Sequence, residues 1–542
     1  MKPFTGTVRL ARLALRRDRV QLPIWLLAVV AVMAASASSV VGLYPTEQER
    51  VALAVSSSAS PVALMTNGLV SGTSLGATVA AQALLTVAVA AALMSTLAVV
   101  RHTRQNEETG RAELIGSAVV GHRAPLTAAL VVVGAADLLL GLLAAGTLVG
   151  IGLPVGGSVL SGAAIAGVGM VFASVAAVTA QVSETARGAN GLAAAAVGAA
   201  FLLRAVGDAG GDVVAAGTRV VSAWPSWLSP IGWGQQTRPY DLDQWWVLGV
   251  MALAGALLVA TAFALVAHRD VGAGLRATPP GPAEGDDRLL SPLGLAWRLQ
   301  RSLLTAWLVA VLLLGATYGG AGDEVDDFLG DSEAAADLIE QLGGTGDLVD
   351  AYFAATFVFA AIAAAGYLVQ AVLRMRAEEA SGRLEPVLAT SVARTRWMLG
   401  HILVATVGSI VLVGATGLAS AVTDGWVVGD IGGQVGALAP AALAYAPATL
   451  AMGAVAVAAF GLWPRHAAAV SWGAFAGVLL LSLFGPLLDL PRLVLDLSPF
   501  SHVPGVLGGA VPLKPLGGLV AVAVAVATVG VLWFRRRDLT PS

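Results

Sequence analysis

The chain has 542 residues and a mean hydropathy of +0.80, with 57% hydrophobic and only 12% charged residues. Soluble domains carry about 25% charged residues, so the composition excludes an ordinary soluble protein and indicates a polytopic membrane protein. The formal net charge of -3 excludes little, whereas the absence of cysteine excludes disulfides and cysteine-ligated metals or clusters.

The first half of the chain predicts six membrane spans. Residues 3–19 form a basic amphipathic segment, which we expect at the inner membrane interface with its arginines near anionic lipid heads. An apolar run at 22–41 is long enough for a ~30 Å hydrocarbon core and is expected to be a retained span. A polar loop at 44–74 follows, and the second span ends near residue 100. The third, fourth and fifth spans start near residues 124, 160 and 191. A long loop at 208–245 then precedes the sixth span at 246–268.

An internal repeat organises the whole chain. Residues 272–290 combine proline, glycine and charge, as linkers do, and the same features then begin again. The recurring anchors are Leu-Ala-x-Arg-x-x-Arg-x-x-Leu-x-x-Trp at 13–25 and 295–307, Leu-Ser-Pro at 228–230 and 497–499, and Arg-Asp plus an aliphatic residue at 269–271 and 537–539. We therefore predict an all-α protein of about twelve transmembrane helices, as six-span halves at 1–271 and 291–542.

One further anchor, Glu-x-[Ser/Thr]-Gly-Arg-x-Glu, lies between the second and third spans of each half, at 107–113 and 379–385. In a continuous helix its first Glu would pair with its Arg, four residues later. The glycine permits a bend there. A passive loop would explain the arginines alone, whereas the repeated glutamates and glycine favour a docking surface. The residues assigned to docking are Glu107, Gly110, Arg111, Glu113, Glu379, Gly382, Arg383 and Glu385.

The distribution of arginines predicts the orientation. The N-terminal segment, both motif loops, the linker and residues 535–537 fall on one side, which is therefore expected to be cytoplasmic. Both termini are then inside, and the two halves are parallel repeats. The opposite side receives residues 322–350, which hold ten acidic residues and no Lys or Arg. That segment contains an amphipathic helical pattern at 337–342.

No catalytic or metal site is predicted in the chain itself. A phosphate-binding Gly-x-x-x-x-Gly-Lys-[Ser/Thr] loop needs a lysine, and neither Lys2 nor Lys514 has that context. The histidines lack the spacing of metal ligands, and no Ser-His-Asp or paired-carboxylate arrangement stands out. Any ATP-driven activity would require a separate ATPase chain.

Four polar residues inside the predicted spans are candidates for a transport path. Asp137 in the third span is by default a functional hypothesis, but a hydrogen-bonded structural role is favoured because residue 409, its repeat equivalent, is Ser. Gln82, Tyr367 and Gln370 in the second spans either face a transport path or join neighbouring helices. Near the end of the fifth span, Arg204 and Asp208 are expected to pair as anchors at the membrane interface.

Over its full length the chain resembles permeases of ATP-binding cassette exporters of the second type, and in particular the actinobacterial polyketide-antibiotic and multidrug exporters. The resemblance rests on the two motif copies, the Leu-Ser-Pro elements and the Arg-Asp endings. It implies that the motif loops are coupling helices that dock into a separate ATPase, present in two copies and carrying ATP and Mg. The first copy continues as Leu-Ile-Gly where the second has Pro-Val-Leu, so the two dockings are expected to be unequal.

The resemblance further implies export of amphiphilic compounds such as drugs, antibiotics or lipids across a bacterial plasma membrane, with no nucleic-acid partner. Two other classes stay open from the residues alone. An ion-coupled secondary transporter would need several intramembrane carboxylates, of which Asp137 is the one candidate found. A non-transporting membrane scaffold or sensor is the other alternative.

Overall fold

The computed structural model describes residues 2–270, 272–275, 281, 284–320, 322, 348–484, 491–503 and 513–539. The chain forms two compact units, Met1–Gly281 and Pro282–Ser542. The boundary between them lies inside the segment predicted as a linker.

Unit 1 contains six helices that are long and apolar enough to cross a membrane. Shorter helices and one antiparallel hairpin lie between them, with Asp212 opposite Val221 in the hairpin. In chain order the elements are α1 (Thr7–Arg17), α2 (Gln21–Leu43), α3 (Glu47–Ala59), α4 (Pro61–Thr66), α5 (Leu75–His102), α6 (Arg104–Glu108), α7 (Arg111–Gly116), α8 (Ala124–Gly150), α9 (Val155–Val182), α10 (Ala186–Ala209), β1 (Asp212–Val214), β2 (Arg219–Val221), α11 (Pro230–Gln236) and α12 (Trp246–Val266).

Unit 2 follows the same order of long helices. Its described elements are α13 (Pro292–Gly319), α14 (Leu348–Ala380), α15 (Leu384–Leu388), α16 (Arg394–Val428), α17 (Ile431–Leu443), α18 (Ala446–Leu462), α19 (Ala467–Phe484), α20 (Arg492–Leu495) and α21 (Leu513–Arg536). Helices α17 and α18 together make one apolar stretch, Ile431–Leu462, which is the fourth span of this unit.

Among the described residues, 11 helices meet the length and composition of a membrane span, and the apolar stretch Ala467–Ser482 is shorter. The six long helices of unit 1, with the five long apolar stretches and the shorter Ala467–Ser482 of unit 2, confirm the prediction of an all-α polytopic membrane protein. The parallel orientation of the halves stays a prediction.

The second and fourth spans form the centre of each unit. In the most apolar part of α5 and of α9, 67% of the residues are buried. The buried share is 72% in their counterparts in unit 2, which are α14 and the stretch formed by α17 and α18. The sixth spans α12 and α21 are only 17% buried there, so most of their surface faces outwards. Close packing depends on small residues: a β-carbon on Gly141 of α8 would collide with the backbone of Gly162 in α9, and Gly461 and Gly530 meet in the same way in unit 2.

Three segments differ from their sequence interpretation. The polar loop predicted at 44–74 contains α3, which starts with a capping box: Thr46 accepts from the Glu49 amide, and Glu49 accepts from the Thr46 amide at 2.9 Å. The loop predicted at 208–245 holds the hairpin and α11. The amphipathic segment of unit 1 is the separate helix α1, whereas its counterpart in unit 2 continues into the first span as the unbroken 28-residue α13.

Candidate functional site

Both copies of the repeated motif fold as a helix, a glycine turn and a second short helix. In unit 1, α6 ends just before Gly110, which has a φ of +72°, and α7 begins directly after it. In unit 2, α14 ends before Gly382, which has a φ of +71°, and α15 follows. Nothing lies within 4 Å of a β-carbon built on either glycine. The left-handed backbone, rather than lack of space, therefore accounts for glycine at both positions.

The ion pairs predicted within the motif, Glu107 with Arg111 and Glu379 with Arg383, are wrong. The prediction assumed a continuous helix, but the left-handed glycine ends that helix between the two partners. Arg383 instead binds the preceding glutamate, with its Nε 2.8 Å from Glu378 Oε2. The first glutamate of each motif binds an arginine at the end of the sixth span.

These two contacts, which we call the motif ion pairs, have the same bidentate geometry. Arg269 Nη1 and Nη2 donate to the two carboxylate oxygens of Glu107 at 2.8 and 2.6 Å. Arg537 Nη1 and Nη2 donate to those of Glu379 at 2.6 and 2.8 Å. In the sequence, the glutamates and the Arg-Asp endings are separate anchors of the repeat. The signal that would have joined them is their recurrence together in both halves.

Each motif ion pair also contacts the end of the fourth span. Arg269 Nε donates to the side-chain oxygen of Gln181 in α9 at 2.6 Å. Arg537 lies 5.1 Å from the ring centroids of Phe460 in α18 and Phe534 in α21. In both units, therefore, the motif, the fourth span and the sixth span meet at one arginine.

The motif of unit 1 has further bonds to its neighbours. Arg104 is fully buried, with Nη1 2.8 Å from Glu107 Oε2 and Nε 3.0 Å from the carbonyl oxygen of Ala180 in α9. Glu108 accepts from the amide of Ala186 at 2.9 Å, at the N-terminus of α10, where the helix dipole favours an anion. The motif thereby connects to the fourth, fifth and sixth spans.

In unit 2 a second glutamate supports the motif. Glu378 binds Arg374, one helical turn earlier, at 2.8 Å and also binds Arg383. The hydrogen bond from Arg383 to Glu378 raises the pKa of the Arg383 guanidinium above its ordinary value. Arg394, at the start of the third span, donates to the carbonyl oxygen of Arg537 at 2.6 Å. The start of the third span is thus also bonded to the motif ion pair of this unit.

The remaining motif residues face outwards. Arg111, Glu113 and Glu385 are exposed, and the Arg383 side chain is 59% exposed. By contrast, Glu107 is 15% and Glu379 only 1% exposed. The motif therefore divides into an inner glutamate that joins the helices of its own unit and an outer surface available to another protein.

The candidate path residues in the second spans lie in different surroundings. Gln82 lines a cavity of about 20 Å³ at the start of α5, large enough for about one water molecule. Tyr367 is fully buried, and its hydroxyl packs against Gly408 of the third span. Gln370 is exposed and accepts from the indole nitrogen of Trp307 at 3.1 Å. Their assignment to a transport path stays a prediction.

Asp137 lies at the midpoint of α8 and is fully buried. Ser95 of the second span donates to its Oδ1 at 2.6 Å, and Gly169 of the fourth span leaves room for the carboxylate. In unit 2 the equivalent Ser409 lies 3.1 Å from the hydroxyl of Thr449. Both units thus place a hydrogen-bonded polar group at this point, and only unit 1 has a carboxylate there.

The pair predicted between Arg204 and Asp208 is present, with Arg204 Nη1 3.5 Å from Asp208 Oδ2. Both side chains are 0% exposed, so their interpretation as anchors at the membrane interface is wrong. Residues 323–347 of the acidic segment, including the helical pattern at 337–342, lie outside the described residues, as do residues 276–280 and 282–283 of the predicted linker.

Two comparisons identify relatives of the chain. A family model described as "Multidrug efflux system permease Rv1217c, C-terminal domain" matches residues 289–535. The multidrug efflux system permease protein Rv1217c of Mycobacterium tuberculosis is 41% identical over 538 residues, which cover 99% of this chain and 96% of the relative. The similarity thus includes both halves of the chain, both motif copies and the linker between them.

Proposed function

Since the chain belongs to the family of the multidrug efflux system permease Rv1217c, we propose that it is the permease subunit of an ATP-driven exporter of amphiphilic compounds. The chain is a multi-pass membrane permease with the long apolar helices that such a subunit requires. Drugs are the first proposed substrate class, because the relative's name specifies multidrug efflux. Antibiotics and lipids are proposed beside them from the resemblance to exporters of amphiphilic compounds.

The outer surface of the motif is the proposed docking site for the ATPase. The observation that carries this proposal is the division of the motif, which is repeated in both units. The exposed Arg, Glu and short helix lie one glycine turn away from a glutamate that is bonded to the sixth span. A force applied to the outer surface would therefore act on the sixth span through a bidentate charged contact rather than through a flexible loop.

The proposed partner is an ATP-binding cassette ATPase in two copies, one for each motif, with ATP and Mg bound to the ATPase. The chain has no lysine in a phosphate-binding loop, so the energy source is placed on a separate protein. This arrangement requires the motifs and both termini on the cytoplasmic side of a bacterial plasma membrane. ATP binding would bring the two docking elements together and move the helices to which they are bonded.

An ion-coupled transporter is a weaker proposal. Such a mechanism favours titratable groups at equivalent places in both halves. Asp137 is matched in unit 2 by a hydrogen-bonded Ser409–Thr449 pair, neither of which carries a charge. A Walker-type ATPase gene beside the permease gene would favour the ATP-driven exporter. Its absence would favour an ion-coupled transporter or a non-transporting scaffold protein.

Reversing the charge of the exposed arginine tests the docking proposal. We expect Arg383→Glu to lower co-purification of the ATPase at least tenfold, because an interfacial charge placed against its own sign costs more than about 1.4 kcal/mol. Tagged permease is purified from membranes, and bound ATPase is measured by azido-ATP labelling and Mg-ATPase activity. Arg301→Glu is the matched control, since Arg301 is also exposed but lies outside the motif. Full retention of the ATPase by Arg383→Glu would contradict the docking site.

A further inference from the structure

A cleft of about 420 Å³ opens in unit 1 between α1, the motif and the start of the third span. Its walls include Leu10 and Leu13 of α1 and Leu114 and Ile115 of α7, and Arg17 and Arg111 are the two arginines that line it. An apolar cleft with two guanidinium groups fits an amphiphile that carries an anionic head.

Asp18, which follows Arg17 in the chain, offsets only part of the positive charge of this cleft. Arg17 Nη1 donates to Asn106 Oδ1 at 2.6 Å, which is a neutral partner. The carboxylate of Asp18 binds two other side chains: its Oδ2 lies 2.5 Å from His102 Nε2, and its Oδ1 lies 3.0 Å from Arg101 Nη1. Burial, followed by the neighbouring charges of Arg111 and Arg101, lowers the pKa of Arg17, and the charge of Asp18 opposes this shift only in part. A phosphate group would relieve this repulsion by accepting hydrogen bonds from the two guanidinium groups.

Unit 2 provides an internal comparison. The repeat places Glu378 where unit 1 has Asn106, and Glu378 neutralises the motif arginine Arg383 at 2.8 Å. The residue equivalent to Arg17 is Leu299. Unit 2 therefore has a neutralised arginine and an apolar residue at the positions that make the cleft of unit 1 cationic. At these compared positions, the excess positive charge is found in unit 1 and not in unit 2.

The position of α1 identifies the source of the ligand. This helix has a strongly basic face, yet Val8 and Leu15 are exposed at 64% and 51%. Such a helix lies in the membrane interface, with its apolar side chains among lipid chains. A ligand that reaches the cleft beside α1 comes from the same leaflet.

We propose that the cleft binds one anionic phospholipid, with its phosphate held by Arg17 and Arg111 and its acyl chains against the leucines of α1 and α7. The lipid joins the amphipathic helix to the motif of unit 1. Because Arg111 is also a predicted docking residue, the test rests on Arg17 and Asn106, which are outside that set.

The purified full-length permease, delipidated in detergent, is titrated with phosphatidylglycerol and with phosphatidylcholine, and bound lipid is counted by native mass spectrometry. We expect the wild type to prefer phosphatidylglycerol by about thirtyfold, given about 1 kcal/mol for each of the two arginines near the anionic head. Arg17→Gln removes a cation and Asn106→Glu copies the neutralising residue of unit 2. Each variant loses the contribution of one charge and is expected to reduce the preference to about fivefold or less.

Arg12→Gln is the matched control, because Arg12 is an exposed arginine of α1 that does not line the cleft. It should retain the full preference. Equal binding of the two lipids by the wild type would overturn the proposal, and so would an unchanged preference in both cleft variants. If Arg12→Gln lowered the preference for phosphatidylglycerol as much as Arg17→Gln does, the lipid would be attracted by the basic helix as a whole, and the proposed site would be overturned.

Discussion

Arg537→Ala is expected to lower the free energy of unfolding of the permease by about 3 kcal/mol and to abolish efflux. Its partner Glu379 is 1% exposed, and breaking a buried ion pair from one side leaves an uncompensated charge. Arg376, 3.6 Å from Glu379, offsets only part of that loss because its contact is longer and not bidentate. Thermal unfolding in detergent and drug accumulation in cells measure the two effects.

The equivalent change in unit 1, Arg269→Ala, is expected to cost less, about 1–2 kcal/mol. Glu107 is 15% exposed and keeps Arg104 at 2.8 Å as a second partner. Equal losses for the two variants would show that burial does not set the strength of these contacts.

A double replacement separates stability from positioning. Glu379→Leu combined with Arg537→Met exchanges the buried pair for apolar side chains of similar size, which is often neutral for stability. We expect a free energy of unfolding close to that of the wild type. We also expect efflux to be lost, because the motif no longer has a charged contact with the sixth span. Normal efflux by a stable double variant would reduce the motif ion pair to a structural feature.

Asp208→Ala is expected to destabilise unit 1 by about 3–5 kcal/mol, because Arg204 would then be a buried cation without a charged partner. The Oδ1 atom of Asp208 accepts from Ser222 at 2.6 Å and from Ser226 at 2.8 Å, so the hydroxyl groups of the following loop would also lose their acceptor. Expression level and thermal unfolding of the purified protein measure the loss.

Asp208→Asn is the matched control for this network. The amide oxygen still accepts from the serines, so we expect a smaller loss than with alanine. Replacing the pair together, as Arg204→Met with Asp208→Leu, should recover much of the stability because no buried charge is left over. If Asp208→Ala unfolded at the same temperature as the wild type, the buried pair would not stabilise unit 1 as described.

The sequence could predict the spans because apolar length alone determines them in a membrane. It could also locate the motif, since a charged run between two apolar helices is unusual and its repetition is informative. The partners of Glu107 and Glu379 could not be predicted from the spacing rule, which holds within one helix. Gly110 and Gly382 end that helix, and each true partner lies more than 150 residues away in the chain.

The burial of Arg204 and Asp208 could not be predicted from the sequence either. Arg204 and Asp208 lie near the end of an apolar helix, where exposed anchors are common, yet α4, α11 and the loop after α10 cover them. The contact between Arg204 and the Met65 carbonyl oxygen joins segments 139 residues apart. Local periodicity contains no information on which loop returns over a helix end. The same limit applies to α3, whose capping residues were present in a segment read as a polar loop.

Cross-linking from the outer surface of the motif tests the central claim most directly. The natural chain has no cysteine, so single cysteines introduced as Glu113→Cys and Glu385→Cys can be labelled with a photoreactive maleimide without background. Trp224→Cys is the control, because Trp224 is 72% exposed and lies in the loop that is separated from the motif of unit 1 by three predicted spans. We predict ATPase adducts from both motif positions and none from the control, in membranes that export drug. Adducts absent from both motif positions in such membranes would contradict the docking of an ATPase on these elements.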